Sequence, residues 1–553
     1  MFDLILRGGR VLDGAGNVDV LADVAVENGR IAAIGRLGAA EARESADVTG
    51  LTVCPGFVDV HCHSDALPFA SDPLPAKILQ GVTTEVNGNC GSTAFPLLPD
   101  TADLLKEHQA GLFADTPWDW STAAEFFASL ERAGPVSNVA QLVGHNTLRV
   151  AAFGFQNRPP TADEQKTMRH LLEQSLADGA VGFSSGLIYS PGFYSQTPEL
   201  IGLAEVLRGS GRPYCSHVRG ETATLFQAHA EAIEIGERAG VPVQHSHLKA
   251  AGRANHGRAG DLLKLLEEAR DRGVEVTGDA YPYDAGSTRM AALLPPWSQE
   301  GGRELMLERL TIQADRDRIK RDFENGIPGW ENLAGAGGWD KVRVASVEAH
   351  PEYLGLSIQQ IANQRGTDPV DALCDVLLLE RGRPTIVVTM MDEPDVQQIL
   401  AHPLVMIGSD AIITRGKPHP RTWGTYPRVL GHYAREVGIF SQAEARRSTR
   451  YPSLGQAEVR RSTRYPTLGQ AEAVRKMTSM PAQKFGLWDR GLVRPGMAAD
   501  LVVFDAATVN DRATYEEPEQ PPIGLPHVLV NGVFAVRDSQ YTGARAGKVL
   551  RAR

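Results

Sequence analysis

His61 and His63 stand two residues apart in FVDVHCHSD, at the end of an apolar run that follows Pro55-Gly56. Side chains alternate along a strand, so the two imidazoles share one face and Cys62 points away from them. Two neutral imidazoles held side by side can share a metal ion; the alternative is a pair of packing or surface histidines. Other residues that can bind metals recur near the ends of strand-like runs: Cys90 in VNGNCG, His217 in PYCSHVRGE, His245 and His247 in VPVQHSHLK, and Asp410 in VMIGSD. Each alone has an ordinary explanation: a buried thiol is a small hydrophobe, a strand histidine is satisfied in the core, and an aspartate before a turn caps a helix. No one such explanation serves all of them, and their shared position points to a centre assembled from several strand ends.

A scaffold must bring those ends together. Eight runs qualify as strands: the one ending in His61, then VTTEVNGN, NVAQLVGHN, GAVGFSSG, RPYCSHV, VPVQHSH, VEVTGDAYP and PLVMIGSD. Amphipathic stretches such as GDLLKLLEEARDRG lie between them, with Leu262, Leu263, Leu265 and Leu266 on one side. The alternation predicts βα units and a parallel sheet, and eight strands suffice for a (β/α)8 TIM-like barrel, whose chemistry sits at the C-terminal ends of the strands. A ninth run, TIVVTMM at 385–391, does not fit the count.

The fold class expected is therefore α/β. The barrel is assigned to residues 58–480, with an insertion over its mouth at about 284–342, a stretch too long for a simple connection. Residues 1–57 and 481–553 read as short strands with Asn-Gly hairpin signals at Asn28-Gly29 and Asn531-Gly532. Both chain ends are expected to build one small β-sandwich domain. Residues 443–456 and 457–470 are near copies, AEARRSTRYPSLGQ and AEVRRSTRYPTLGQ, read as a duplicated surface loop.

The 553 residues are ample for such a core, and no window has the uninterrupted apolar length of a membrane span. The amino terminus lacks the pattern of a secretory signal, which favours the cytoplasm. Five cysteines, irregularly spaced and odd in number, argue against a disulfide framework. A net charge of -11 argues against a nucleic-acid partner and means that an anionic substrate needs a local cationic anchor.

GRIAAIG, LTVCPGFVDVHCH and GLVRPGMAADLVVFD resemble the amidohydrolase superfamily, and GVTTEVNGNCG, GHNTLR, SHVRGE, SHLKA, YPYDAGST and IGSD resemble its D-aminoacylase (N-acyl-D-amino-acid deacylase) branch. The resemblance spans nearly the whole chain apart from the duplication. It implies the barrel and terminal β domain, and a zinc held tightly by Cys90, His217 and His247, with a possible weaker second position at His61, His63 and Asp410. Spacing alone leaves His245 and His247 as alternatives, and the S-H-x-K context of the family selects His247. The implied activity is zinc-dependent hydrolysis of an N-acyl-D-amino acid, a small-molecule substrate, with Asp410 as the acid and base and Tyr189 stabilising the oxyanion. Lys249, Tyr281 and Ser287 would hold the substrate carboxylate. Leu293, in the apolar stretch after Arg289, suggests a pocket for hydrophobic side chains, with Arg289 as the residue that a small shift in matching would bring into it. Arg219, Glu221, His145 and Arg149 match family motifs as supporting residues. The alternatives are an N-acyl-D-glutamate or N-acyl-D-aspartate deacylase, or a cyclic-amide hydrolase of the dihydroorotase or hydantoinase kind.

Overall fold

The structure, a computed structural model, describes residues 1–109, 113, 116–440 and 466–552. The duplicated segment lies outside the described residues except for 466–470, which open the helix Pro466–Met477.

Strands Phe2–Val11, Val20–Glu27, Arg30–Gly35, Ala42–Asp47 and Thr52–Pro55 share one sheet with Leu501–Phe504, His527–Val530, Val533–Arg537 and Gln540–Tyr541. The two ends of the chain meet where Thr52–Pro55 pairs antiparallel with Leu501–Phe504 and parallel with Phe2–Val11. Both Asn-Gly hairpins form, with φ of 52° and 72° at Asn28 and Gly29 and of 48° and 82° at Asn531 and Gly532, the left-handed pair that a two-residue turn requires. One residue, Gly56, separates this sheet from the first barrel strand. A Cβ there would stand 2.1 Å from Thr83 Oγ1, so only glycine lets the chain pass from one sheet into the other.

The protein is an α/β barrel with this small β domain appended. Phe57–Asp59 pairs in parallel with Val82–Asn87, and that strand with Asn138–Gln141. After Leu142 the third stave continues as Val143–Gly144, and parallel pairing runs on through Phe183–Gly186, Tyr214–His217, Val243–His245, Val276–Ala280 and Val405–Ile407. Beyond the eighth stave, Ala411–Ile412 pairs with Cys62–His63, so the eighth returns to the first. These are the eight runs read from the sequence. Helices such as Ala259–Asp271 cover the outside, burying Leu262, Leu263 and Leu266 while their charged faces stay in solvent.

The ninth run belongs elsewhere. Thr385–Thr389 pairs antiparallel with Ala285–Arg289 and with Val342–Val344, forming a separate three-stranded sheet between the seventh and eighth staves. The excursion from the barrel therefore spans 281–404, well past the expected end near 342, because Val342–Val344 pairs within the excursion and not with a stave. Among the described residues, no helix is long and apolar enough to cross a membrane.

Candidate metal centre

The candidate ligands converge where the staves end. Cys90 Sγ lies 3.3 Å from His61 Nε2, 3.5 Å from His217 Nδ1 and 3.7 Å from His247 Nε2. The facing nitrogens of His217 and His247 are 2.7 Å apart. On the other side of His61, Asp410 Oδ1 stands 3.5 Å from His61 Nε2 and 3.3 Å from His63 Nε2. The two expected groups, Cys90 with His217 and His247, and His61 with His63 and Asp410, are thus neighbours, and His61 reaches both. A thiol, four imidazoles and a carboxylate converging in a buried site form a donor set suited to a borderline-soft cation such as zinc.

Backbone strain marks the same residues. Cys90, His247 and Asp410 have φ of 53°, 36° and 50°, a region that non-glycine residues rarely occupy. For His247 this corrects the sequence reading. His245 and His247 do not share a strand face, because the strand ends at His245 and the chain turns before His247. His245 lies away from the cluster, its Nδ1 2.9 Å from His229 Nδ1.

The surroundings set the charges. Burial alone would raise the Cys90 thiol, but the charges of His61 and His217 and hydrogen bonds with His217 and His247 outweigh it and hold the group well below its ordinary value. Burial would likewise raise Asp410, and the Arg421 guanidinium, with His247 and His61, holds it well below the carboxylate range. Arg421 Nη1 is 2.9 Å from Asp410 Oδ2, and Nη2 donates to the Ser287 carbonyl at 3.1 Å.

Asp279 orients two ligands. Its Oδ1 lies 3.1 Å from His61 Nδ1 and accepts from the His247 backbone N–H at 2.8 Å, the outer contact expected of a metal-binding histidine. Glu221 does the same for His247 from the far side, with Oε1 3.1 Å from His247 Nδ1 and 2.6 Å from Lys249 Nζ. Arg421 and Asp279 escaped the sequence reading. Asp279 carried the available signal, an acidic residue closing a predicted strand; Arg421, on the helix Arg421–Arg428, carried none.

Two cavities flank the cluster. One, of about 340 Å³, is lined by His217, His247, Lys249, Tyr281, Ser287 and Asp410 among others. Lys249 is buried and donates to Glu221, the Tyr281 hydroxyl is buried without a hydrogen-bond partner, and both Lys249 and Arg421 lie over the Tyr281 ring. The second, of about 430 Å³, is lined by His63, Cys90, His108, Asn146, Thr288 and Arg289 among others. Tyr189 borders both, its hydroxyl 2.9 Å from Thr288 Oγ1 and its ring packed edge-on against His217.

The remaining residues singled out in the sequence lie further from the ligands. Leu293 is fully buried in the main core and lines neither cavity, whereas Arg289 is on the wall of the second. His145 and Arg149 both bind Glu199 in a buried network that does not touch the ligands, and Arg219 pairs with Glu231.

Comparison with known proteins gives a consistent picture. A model of the amidohydrolase family matches residues 44–536. The chain is 36% identical to a D-aminoacylase of Alcaligenes xylosoxydans xylosoxydans, covering 99% of this chain and 97% of that protein. It is also 36% identical to an N-acyl-D-glutamate deacylase of the same organism, over 99% and 96% of the two chains. The crystal structure of an N-acyl-D-glutamate deacylase from Bordetella bronchiseptica, complexed with zinc and a phosphonate mimic of the tetrahedral intermediate, superposes with a TM-score of 0.80 at 36% identity, covering both chains completely.

Proposed function

The chain belongs to the amidohydrolase family, and on that premise we propose that it is a metal-dependent hydrolase of N-acyl-D-amino acids, releasing a carboxylate and a free D-amino acid. Cys90, His217 and His247 are the tight zinc ligands in this reading, and His61, His63 and Asp410 offer a weaker second position. Zinc, when bound, polarises the amide carbonyl and acidifies the attacking water.

The side chains of the protein do the rest. Asp410, kept ionised by Arg421, takes the proton of the attacking water on Oδ1, the oxygen turned toward His61 and His63, and returns it to the leaving nitrogen. Burial and the charge of Cys90 raise the Tyr189 hydroxyl well above its ordinary value, so it stays protonated and can donate to the oxygen on which charge develops. Lys249, Tyr281 and Ser287 with Arg421 anchor the α-carboxylate. Lys249 has one N–H left after Glu221 and His247, and the Tyr281 hydroxyl has no other partner. With the carboxylate in that cavity and the scissile carbonyl at the metal, two of the three directions around Cα are fixed, and the third selects chirality.

The observation that carries this reading is the convergence of Cys90 Sγ with three imidazoles beside the buried Asp410–Arg421 pair. The test is turnover of paired D- and L-N-acetyl amino acids, alongside ring opening of a hydantoin, with metal analysis of the parent and of Cys90→Ala. Hydrolysis of the D series with loss of both zinc and turnover in the variant is expected; preferential opening of the hydantoin would sink the reading.

A further inference from the structure

The chain between Tyr281 and Ser287 is tied down at successive residues. Arg428 Nε donates to the Pro282 carbonyl at 2.9 Å, and the Tyr283 hydroxyl donates to Asp511 Oδ2 at 3.4 Å. The Tyr515 hydroxyl donates to Asp284 Oδ1 at 2.7 Å, and His419 Nε2 lies 2.8 Å from the Ala285 carbonyl. Asp511 and Tyr515 belong to the connection between the outer-sheet strands Leu501–Phe504 and His527–Val530, so the outer domain reaches the rim of the barrel here. Tyr515 also packs against Ala285, Ala345 and Val387 of the three-stranded sheet.

His419 is the central member of this set. It is buried, and because a carbonyl accepts only from an N–H, its contact with Ala285 places the ring proton on Nε2. Nδ1 then accepts the backbone N–H of Arg421 at 3.0 Å, one of the donors left unpaired at the start of the helix Arg421–Arg428. Burial and the Arg421 charge hold the imidazole well below its ordinary value, so it stays neutral and keeps this tautomer. The rings of Tyr281, Tyr283 and Tyr515 stand edge-on around it, with centroids 6.1, 5.1 and 5.3 Å away. Arg421 reaches back to the Ser287 carbonyl through Nη2, so one imidazole joins the backbone of Arg421 to the strand that carries Ser287, beside the ring of Tyr281.

We propose that His419 is a positioning residue for the α-carboxylate anchor, fixing Arg421, Ser287 and Tyr281 relative to one another, and that Tyr515 braces it from the outer domain. The proposal rests on the deacylase reading of that anchor. Neither His419 nor Tyr515 lines the two cavities beside the metal cluster, so both act through Arg421 and the strand Ala285–Arg289. Donors held in place before the ligand arrives bind it without the cost of ordering them, which is the advantage that such a brace confers.

The experiment compares kcat/KM for N-acetyl-D-alanine and its carboxamide, N-acetyl-D-alaninamide, in the parent, His419→Leu, His419→Asn, His419→Gln and Tyr515→Phe, with zinc content and a thermal melt on each. The parent is expected to favour the acid by about tenfold or more, as charge-assisted hydrogen bonds to a carboxylate allow. His419→Leu removes most of that preference, chiefly through KM for the acid, while zinc is retained. His419→Asn can replace the acceptor for Arg421 and His419→Gln the donor to Ala285, so each keeps part of the preference. Tyr515→Phe, which deletes one hydroxyl from a half-buried ring, lowers it by about threefold, and with His419→Asn it decides the matter if His419→Leu does not fold. An acid-to-amide ratio unchanged in the folded variants, or equal losses on acid and amide, would overturn the proposal. Calorimetric binding of D-alanine against D-alaninamide in the same proteins reads the anchor without turnover. Preference for D-alanine that depends on His419, without deacylation, would place the failure in the deacylase reading, and equal binding of the two by the parent would end the proposal.

Discussion

The guanidinium of Arg421 pairs with Asp410 at 2.9 Å inside the protein and also covers the ring of Tyr281, 4.6 Å from its centre. One buried cation therefore serves both the proposed proton carrier and the proposed carboxylate anchor. Arg421→Gln should lower kcat/KM by about a hundredfold or more, since removing one partner strands the other charge away from water. Arg421→Lys should recover only part of this, because an ammonium cannot reproduce the planar fork. Steady-state kinetics with a thermal melt on each variant separates this from simple unfolding; parent-like KM and kcat in both variants would refute it.

The two ligand groups should respond differently to truncation. His217→Ala is expected to lose zinc and activity together, whereas His63→Ala should retain about one zinc per chain while turnover changes. Metal analysis after dialysis checks this, and a His217→Ala variant that keeps full zinc would reverse the assignment of the tight site.

Glu331, contributed by the excursion between the last two staves, accepts from the backbone N–H of Glu221 at 3.1 Å. Glu331→Ala leaves that buried donor unpaired, with an expected loss of about 1–3 kcal/mol in stability. It should also lower kcat/KM while zinc is retained, since Glu221 steadies His247 and Lys249 without being one of the proposed ligands. Urea titration and metal analysis on the same sample decide the point.

Far from the site, Glu164 caps the helix Ala162–Ala177 and binds Arg158 through both oxygens at 2.7 Å. The Arg158 hydrogen bonds lower its carboxyl to about 2 from 4.5 against the opposing effect of burial, with help from Thr161. A folded-state value below the unfolded one stabilises above the unfolded value and loses that contribution as pH falls toward the folded one. Glu164→Gln should therefore cost about 1 kcal/mol near neutrality, the modest size expected for a partly exposed pair and cap. The gap between parent and variant should narrow as pH drops below about 4.5. Denaturation series at several pH values test it, and a gap that widens on acidification would contradict the sign.

The eight staves were legible because each is a short apolar run followed by a turn and an amphipathic segment, and this local pattern survives folding. TIVVTMM has the same local character, and only its antiparallel partners, Ala285–Arg289 and Val342–Val344, place it outside the barrel. The ligand types and their strand-end positions were visible too, although the alternation rule fails where a strand stops, as between His245 and His247. Arg421, Leu293 and Arg289 show the limit. Whether such a side chain meets the core or a cavity depends on the packing of segments distant in sequence, and no period along the chain records it.

The single residue between the outer sheet and the first stave has a thermal consequence. Gly56 leaves no spacer between sheet and barrel, and the space a side chain would need there is filled by Thr83. Sheet and barrel are then expected to melt as one cooperative unit, giving a single endotherm on heating. A chelator that strips zinc from the opposite end of the stave should lower the temperature at which the outer strands come apart, even though their own sheet supplies no ligand.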